Sequence, residues 1–110
     1  MATGRLNYGG SPIQLGTTNT TLYTVPSGYY AVCNVSLTNS TATARTITLA
    51  LASSTSPQSA ELIEVQTTIV GYGVFERTGL VLQAGYSLVA TASVGSAINA
   101  TVYGFETSTS

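Results

Sequence analysis

Tyr29-Tyr30-Ala31-Val32-Cys33-Asn34-Val35-Ser36-Leu37-Thr38-Asn39 is the stretch that decides the fold of this chain. Ala31, Cys33, Val35 and Leu37 share one parity, and Val32, Asn34, Ser36 and Thr38 share the other. A period of two marks a β-strand with one face on a core and one toward solvent. Turn formers bound it on both sides, Pro26-Ser27-Gly28 before and Asn39-Ser40-Thr41 after.

The same alternation recurs outward from this strand. Ile47, Leu49 and Leu51 are expected to face in, with Thr46, Thr48 and Ala50 facing out. Ile98, Ala100 and Val102 oppose Asn99, Thr101 and Tyr103. Strands rich in Thr, Val, Ile and Tyr are predicted near 12–17, 20–25, 29–39, 44–52, 61–70, 74–78, 80–83, 86–93 and 97–105. Ser59 to Gln66 contains acceptable helix formers, Ala60, Glu61, Leu62 and Glu64, but the following Thr67-Thr68-Ile69-Val70 favours a strand. Further turn signals fall at Ser53–Ser59 with Pro57, Gly71-Tyr72-Gly73, Ala84-Gly85 and Val94-Gly95-Ser96. Their spacing predicts an all-β fold: an antiparallel β-sandwich, jelly-roll-like or immunoglobulin-like, of about eight strands.

Two corners echo each other, Val25-Pro26-Ser27-Gly28-Tyr29 and Leu82-Gln83-Ala84-Gly85-Tyr86. Each ends a strand on an apolar residue and starts the next on tyrosine. Proline second and glycine fourth suit a type I turn. These are read as equivalent corners, with Tyr29 and Tyr86 covering one end of the sandwich. Residues 1–11 are Gly-rich without periodicity and read as an extended, flexible arm. The sandwich domain is expected at 12–106, followed by a short tail at 107–110.

Composition narrows function. The 110 residues contain no histidine, aspartate, lysine or tryptophan. The charges are Arg5, Arg45, Arg77, Glu61, Glu64, Glu76 and Glu106. Most catalytic sites need a group titrating near pH 7, a nucleophile beside a base, or a set of metal ligands. None is assembled here, so the chain is read as a structural protein first, a binding module second, and not as an enzyme. No cofactor or metal is expected. Three scattered arginines and a net charge of −1 do not supply the cations that nucleic acid demands. No segment approaches the roughly 20 apolar residues of a membrane span. The N-terminus lacks the apolar stretch of a signal peptide, and the chain reads as one made in a cytoplasm. Charged residues are 6% of the chain, against about 25% in an ordinary soluble domain. Such a surface has little electrostatic protection against association, so a homo-oligomer or assembly component is expected. Cys33, the one cysteine, has the core parity and reads as a buried, inert thiol.

Few constellations suggest chemistry. Glu61 and Glu64 fall on opposite faces of a strand, without an aspartate, and do not make a calcium site. A Glu76–Glu106 carboxylate pair would be the only candidate for glycoside chemistry. Of four Asn-X-Ser/Thr triplets, at Asn19, Asn34, Asn39 and Asn99, about one or two are expected by chance; Asn34 and Asn99 fall within strands and no secretory signal is visible, so glycosylation is not expected. Threonine arrays such as Thr46/Thr48 lack the regular repeat an ice-binding face would need. Among seven tyrosines, Tyr72 lies between two glycines at a loop tip and is the best exposed contact candidate. The others are expected at sheet ends and subunit contacts. In the arm, Arg5, Leu6 and Tyr8 are the natural anchors onto a neighbour.

The run Thr21–Leu37, TLYTVPSGYYAVCNVSL, resembles an opening found in small β-sandwich virion proteins of tailed bacteriophages. There a strand ending in Val-Pro-x-Gly leads into a long alternating strand and an Asn/Ser/Thr turn. Glu76–Ala92, ERTGLVLQAGYSLVATA, and Val102–Glu106, VYGFE, resemble the later half of such proteins. The resemblance spans most of residues 20–106 and rests on turns and strand ends. It implies a capsid decoration (cement) protein or a tail- or fibre-associated component, located in the virion. The expected partners are further copies, as a homotrimer, and the major capsid protein at capsomer junctions. A glycan is expected only if the chain is a receptor-binding tail module.

Overall fold

In the computed structural model, residues 3–5, 13–54 and 56–109 are described. The strands are β1 Thr3–Arg5, β2 Ile13–Gln14, β3 Thr20–Thr24, β4 Tyr29–Asn39, β5 Arg45–Ala52, β6 Leu62–Ile69, β7 Val74–Leu82, β8 Ser87–Ala92 and β9 Ile98–Ser108. A single 3-10 turn, Ser59–Glu61, precedes β6.

Two antiparallel sheets stack face to face. Sheet 1 has the order β9-β4-β7, with β1 and β2 both paired to β9; sheet 2 has the order β3-β8-β5-β6. Every connection from β2 to β9 crosses between sheets except the β5–β6 hairpin. An immunoglobulin arrangement keeps several consecutive pairs in one sheet. The sequence of crossings here is that of the jelly roll, and β2 to β9 are its eight strands.

The alternation of β4 is borne out residue by residue: Ala31, Cys33, Val35 and Leu37 are fully buried between the sheets. Ile47 and Leu49 from β5, Leu88 and Ala90 from β8, and Ile98, Ala100 and Val102 from β9 complete the layer. Each large aliphatic residue enclosed this way contributes about 1.5–3 kcal/mol.

Four features differ from expectation. Residues 74–78 and 80–83 belong to one strand, β7, with a bulge where Thr78 and Gly79 face Asn34. Gly79 takes a left-handed φ of 71°, and its N–H donates to Asn34 Oδ1 at 3.0 Å. Ala50 faces out, yet it is buried together with Ala52 and Val89, outside the inter-sheet core. There the 3-10 turn folds back against β5, and Glu61 accepts from the N–H and hydroxyl of Ser53. The two echoing corners are framed one residue later than a type I turn at Val25 requires. Tyr29 N–H donates to Pro26 O and Tyr86 N–H to Gln83 O, which puts Gly28 (φ 83°) and Gly85 (φ 85°) at the third, left-handed position of type II turns. The corners also bond to each other, through Val25 N–H to Tyr86 O and Gly85 N–H to Val25 O. Finally, β9 continues to Ser108, and Thr3, Gly4 and Arg5 pair with its Thr107, Glu106 and Phe105.

Candidate functional site

Two interaction surfaces stand out. The first is the outer face of sheet 1 near its β4 start. In register across three strands, Val81 pairs with Val32, and Val32 with Phe105. All three have the parity opposite the core. Val81 is 63% exposed, Phe105 59% and Val32 37%, with exposed Tyr30 two residues before Val32. Opposed apolar pairs are the usual unit of sheet stabilisation, but these present their outer surfaces to water. β9 can approach β4 closely at this point because of Gly104. Its φ is 149°, and a Cβ there would lie 2.2 Å from Val32 O. Farther along the same face, polar groups satisfy one another: Tyr103 hydroxyl donates to Glu76, and Gln14 amide to Asn99. Partial desolvation and the Glu76 carboxylate raise the Tyr103 phenol above its ordinary value.

The second surface is the tip joining β6 to β7, Val70-Gly71-Tyr72-Gly73 and the first residue of β7, Val74. Tyr72 is 73% exposed, and Val70 and Val74 beside it are exposed too. The tip is rigidly seated. Asn39, at the end of β4, has 0% exposure. Its Oδ1 accepts from the N–H and hydroxyl of Thr41, while its amide nitrogen donates toward the carbonyls of Thr43, Ile69 and Val70. Tyr72 N–H donates to Thr41 O, and Asn39 N–H to Gly73 O. At Gly71 a Cβ would meet Ala42 O at 2.1 Å, so only glycine allows the tip to lie against the 40–43 loop. The burial and bonding of Asn39 leave it unavailable as a glycan acceptor, whatever the triplet Asn39-Ser40-Thr41 spells.

Of the residues singled out in the sequence, Tyr72 is exposed as expected. Arg5 lies in β1, with its backbone in register with Phe105 on the chain's own β9. Leu6 and Tyr8 lie outside the described residues. The apolar residues Val81 and Phe105 were not singled out. The available signal was their parity: Val81 sits between core residues Leu80 and Leu82, and Phe105 follows Tyr103 on the outward series.

The carboxylates do not converge. Glu76 pairs in register with outward Ser36, and Glu106 with inward Ala31, so they occupy opposite faces of sheet 1. Glu106 instead accepts from the Tyr23 hydroxyl, linking β9 to β3 of the other sheet. Burial first, and the Glu106 carboxylate second, push the Tyr23 phenol well up. Glu64 pairs with Arg77 at 2.5 Å, linking β6 to β7 across the other open side. These two contacts clasp the sheets along opposite edges. The Arg77–Glu64 pair is partly exposed and contributes about 0.5–1 kcal/mol. Burial pushes the Cys33 thiol up to about 11, which keeps it protonated and unreactive at neutral pH. No cluster of three or more His, Cys, Asp or Glu side chains able to hold a metal occurs among the described residues.

Comparison with family models, with curated proteins and with solved structures gave no match to this chain.

Proposed function

We propose that this chain is a structural protein of a bacteriophage virion, a decoration protein that binds the outside of the shell and stabilises it at capsomer junctions. The observation that carries the reading is the outer face of sheet 1, where Tyr30, Val32, Val81 and Phe105 form an exposed apolar stripe on a domain almost without charge. A free monomer gains nothing from such a stripe, whereas a subunit held in an assembly buries it. The proposed partners are copies of the chain, as a trimer, and the major capsid protein. Bound at a seam between capsomers, the stripe adds contact area that separation of the seam must re-expose to water. The jelly roll fits by analogy of fold only, since the same architecture serves both capsid and lectin domains. No catalytic role is proposed.

Copy number in purified particles tests this reading, measured by quantitative mass spectrometry against the major capsid protein. Hundreds of copies are expected. Absence from particles overturns it.

A second reading has its own observation, the exposed and firmly held Tyr72 tip. A tail- or fibre-associated module would present such a loop to a surface glycan. It calls for about a dozen copies or fewer and for binding on a glycan array that Tyr72→Ala abolishes; hundreds of copies and a blank array overturn it.

A further inference from the structure

We propose that copies of this chain join head to tail, with Tyr72 of one copy seated in a hollow at the far end of the next. The proposal rests on the assembly reading above and names the partner of two features at opposite ends of the molecule, the second of which borders the apolar stripe at Val81.

Tyr72 is one feature. It stands at φ 60°, a left-handed conformation in which a bulky side chain is rare and costs about 1–2 kcal/mol. Glycine or asparagine would sit there without that cost. The tip around it is clamped by Asn39 and closed onto the 40–43 loop by Gly71, so the ring is held out from the surface in one place. A strained, exposed and immobilised aromatic residue has the makings of a contact anchor.

The hollow is the other feature. Leu51, Val81, Leu82, Gln83 and Tyr86 line an open hollow of about 200 Å³ beside the paired corners. That is below the roughly 300 Å³ at which pockets for drug-sized ligands begin. A cavity of about 150 Å³ is known to accept benzene. The size therefore suits one aromatic side chain, with apolar walls for the ring and the Gln83 amide near the rim for a phenol hydroxyl.

Position and charge fit the same contact. β7 starts at the tip and ends at the hollow, so its nine residues, at about 3.3 Å each, separate the two features by most of a 46 Å molecule. Neither feature can satisfy the other within one chain. Arg45 opens β5 beside the tip, in register with Ile69; its Nε is buried without a hydrogen-bond partner, and it takes no part in the ion pair of the described residues. At the hollow end, Glu61 is tied to Ser53, two residues past Leu51. The tip end thus carries a positive charge and the hollow end a negative one, which suits a head-to-tail contact. Of the other charges on the tip half of β7, Glu76 is turned to the outer face and accepts from Tyr103, and Arg77 is paired with Glu64. A contact between different surfaces on identical chains either closes into a ring, as a trimer would, or runs on as a filament.

Two variants test it by sedimentation velocity. Tyr72→Asn removes the ring and suits the left-handed backbone. Gln83→Trp fills the hollow and leaves the turn carbonyl in place. Wild type is expected to form closed oligomers. Each variant alone is expected to self-associate at least about tenfold more weakly, with no fall in thermal midpoint, and Tyr72→Asn with a rise as its backbone strain is relieved. Mixed together, they are expected to form a one-to-one dimer and nothing larger, because one live knob remains for one live hollow. A monomeric wild type, a Tyr72→Asn protein that assembles like wild type, or a mixture that stays apart overturns the proposal. Incorporation of Tyr72→Asn into particles reports separately on the virion reading.

Discussion

Two patches on the outer faces of the sandwich are built from the same backbone pattern and carry opposite chemistry. At one end of sheet 2 the outward residues of the central strands are hydroxylic: Thr46 and Thr48 of β5, Thr91 of β8, and Ser93 just beyond it, whereas Ala50, Ala52 and Val89 occupy the other end. Together with Gln66 and Ala92 the hydroxylic residues line an open groove of about 200 Å³. Thr46 faces Thr68, and Thr48 faces Thr91, across the strands. Their oxygens also serve the backbone: Gln66 N–H donates to Thr48 Oγ1, and Thr46 N–H to Ser93 Oγ. On sheet 1 the outward residues toward the opposite end of the strands are Val32, Val81 and Phe105. Threonine gives a strand the β-branched shape it favours and still leaves a hydroxyl for water. Valine and phenylalanine give the shape without the hydroxyl. A chain with so few charges can therefore keep one patch solvated by hydroxyls while another stays apolar.

The largest expected effect comes from the contact that builds the apolar face. Gly104→Ala places a methyl against Val32 O and confines a residue with a side chain to a glycine backbone conformation. A loss of about 3 kcal/mol is expected, read from urea unfolding. A midpoint close to wild type would show that β9 can move away from β4 without loss, and that the stripe is not held by this approach. Gly16, where an added Cβ meets nothing within 4 Å, is the control position.

Asn39→Ala comes next, at about 2–3 kcal/mol, because it strips partners from buried carbonyls of both the 40–43 loop and β6. The tip should loosen before the sheets part. Faster amide exchange at Tyr72 and Gly73 than at the β4 core residues is the expected signature, and uniform exchange across both would count against the clamp.

A direct exchange of the two patches is the sharpest comparison. Val81→Thr with Phe105→Thr converts the stripe toward the chemistry of the sheet 2 patch. Stability should stay within about 0.5 kcal/mol, because these side chains are already exposed, while particle binding weakens at least tenfold, about 1.4 kcal/mol. Thr48→Val with Thr91→Val does the reverse and should create new self-association, seen as a larger sedimentation coefficient. Particle binding that ignores the first pair of substitutions would remove the stripe from the interface.

The smallest effect concerns the 3-10 turn Ser59–Glu61, which packs against β5. Hydrogen bonds from the Gln58 and Ser53 backbone hold the Glu61 carboxyl below its ordinary value. Its contribution is therefore full above the ordinary glutamate range, near pH 4.5, and fades as pH falls through the lower folded value. Glu61→Gln should reduce stability slightly at pH 7 and match wild type in acid. A gap that persists unchanged at the lowest pH would assign it to packing.

The sequence by itself determined the strands and their faces. A parity of two in Ala31–Leu37 and Ile98–Val102 needs no knowledge of partners, because each residue need only bury or expose its own side chain. Two flanking glycines likewise marked Tyr72 as exposed. Only the tertiary structure decided what meets what. It chose the jelly-roll order over the immunoglobulin order, since strand pairing between distant segments leaves no local trace. It merged two predicted strands into β7, because the bulge at Gly79 exists only opposite Asn34. It buried the outward Ala50, brought Arg77 to Glu64 and Tyr23 to Glu106, turned Asn39 into a clamp, and aligned Val81, Val32 and Phe105. Each of these depends on residues far apart in the chain, whose proximity is a property of the packed sandwich and of no single segment within it.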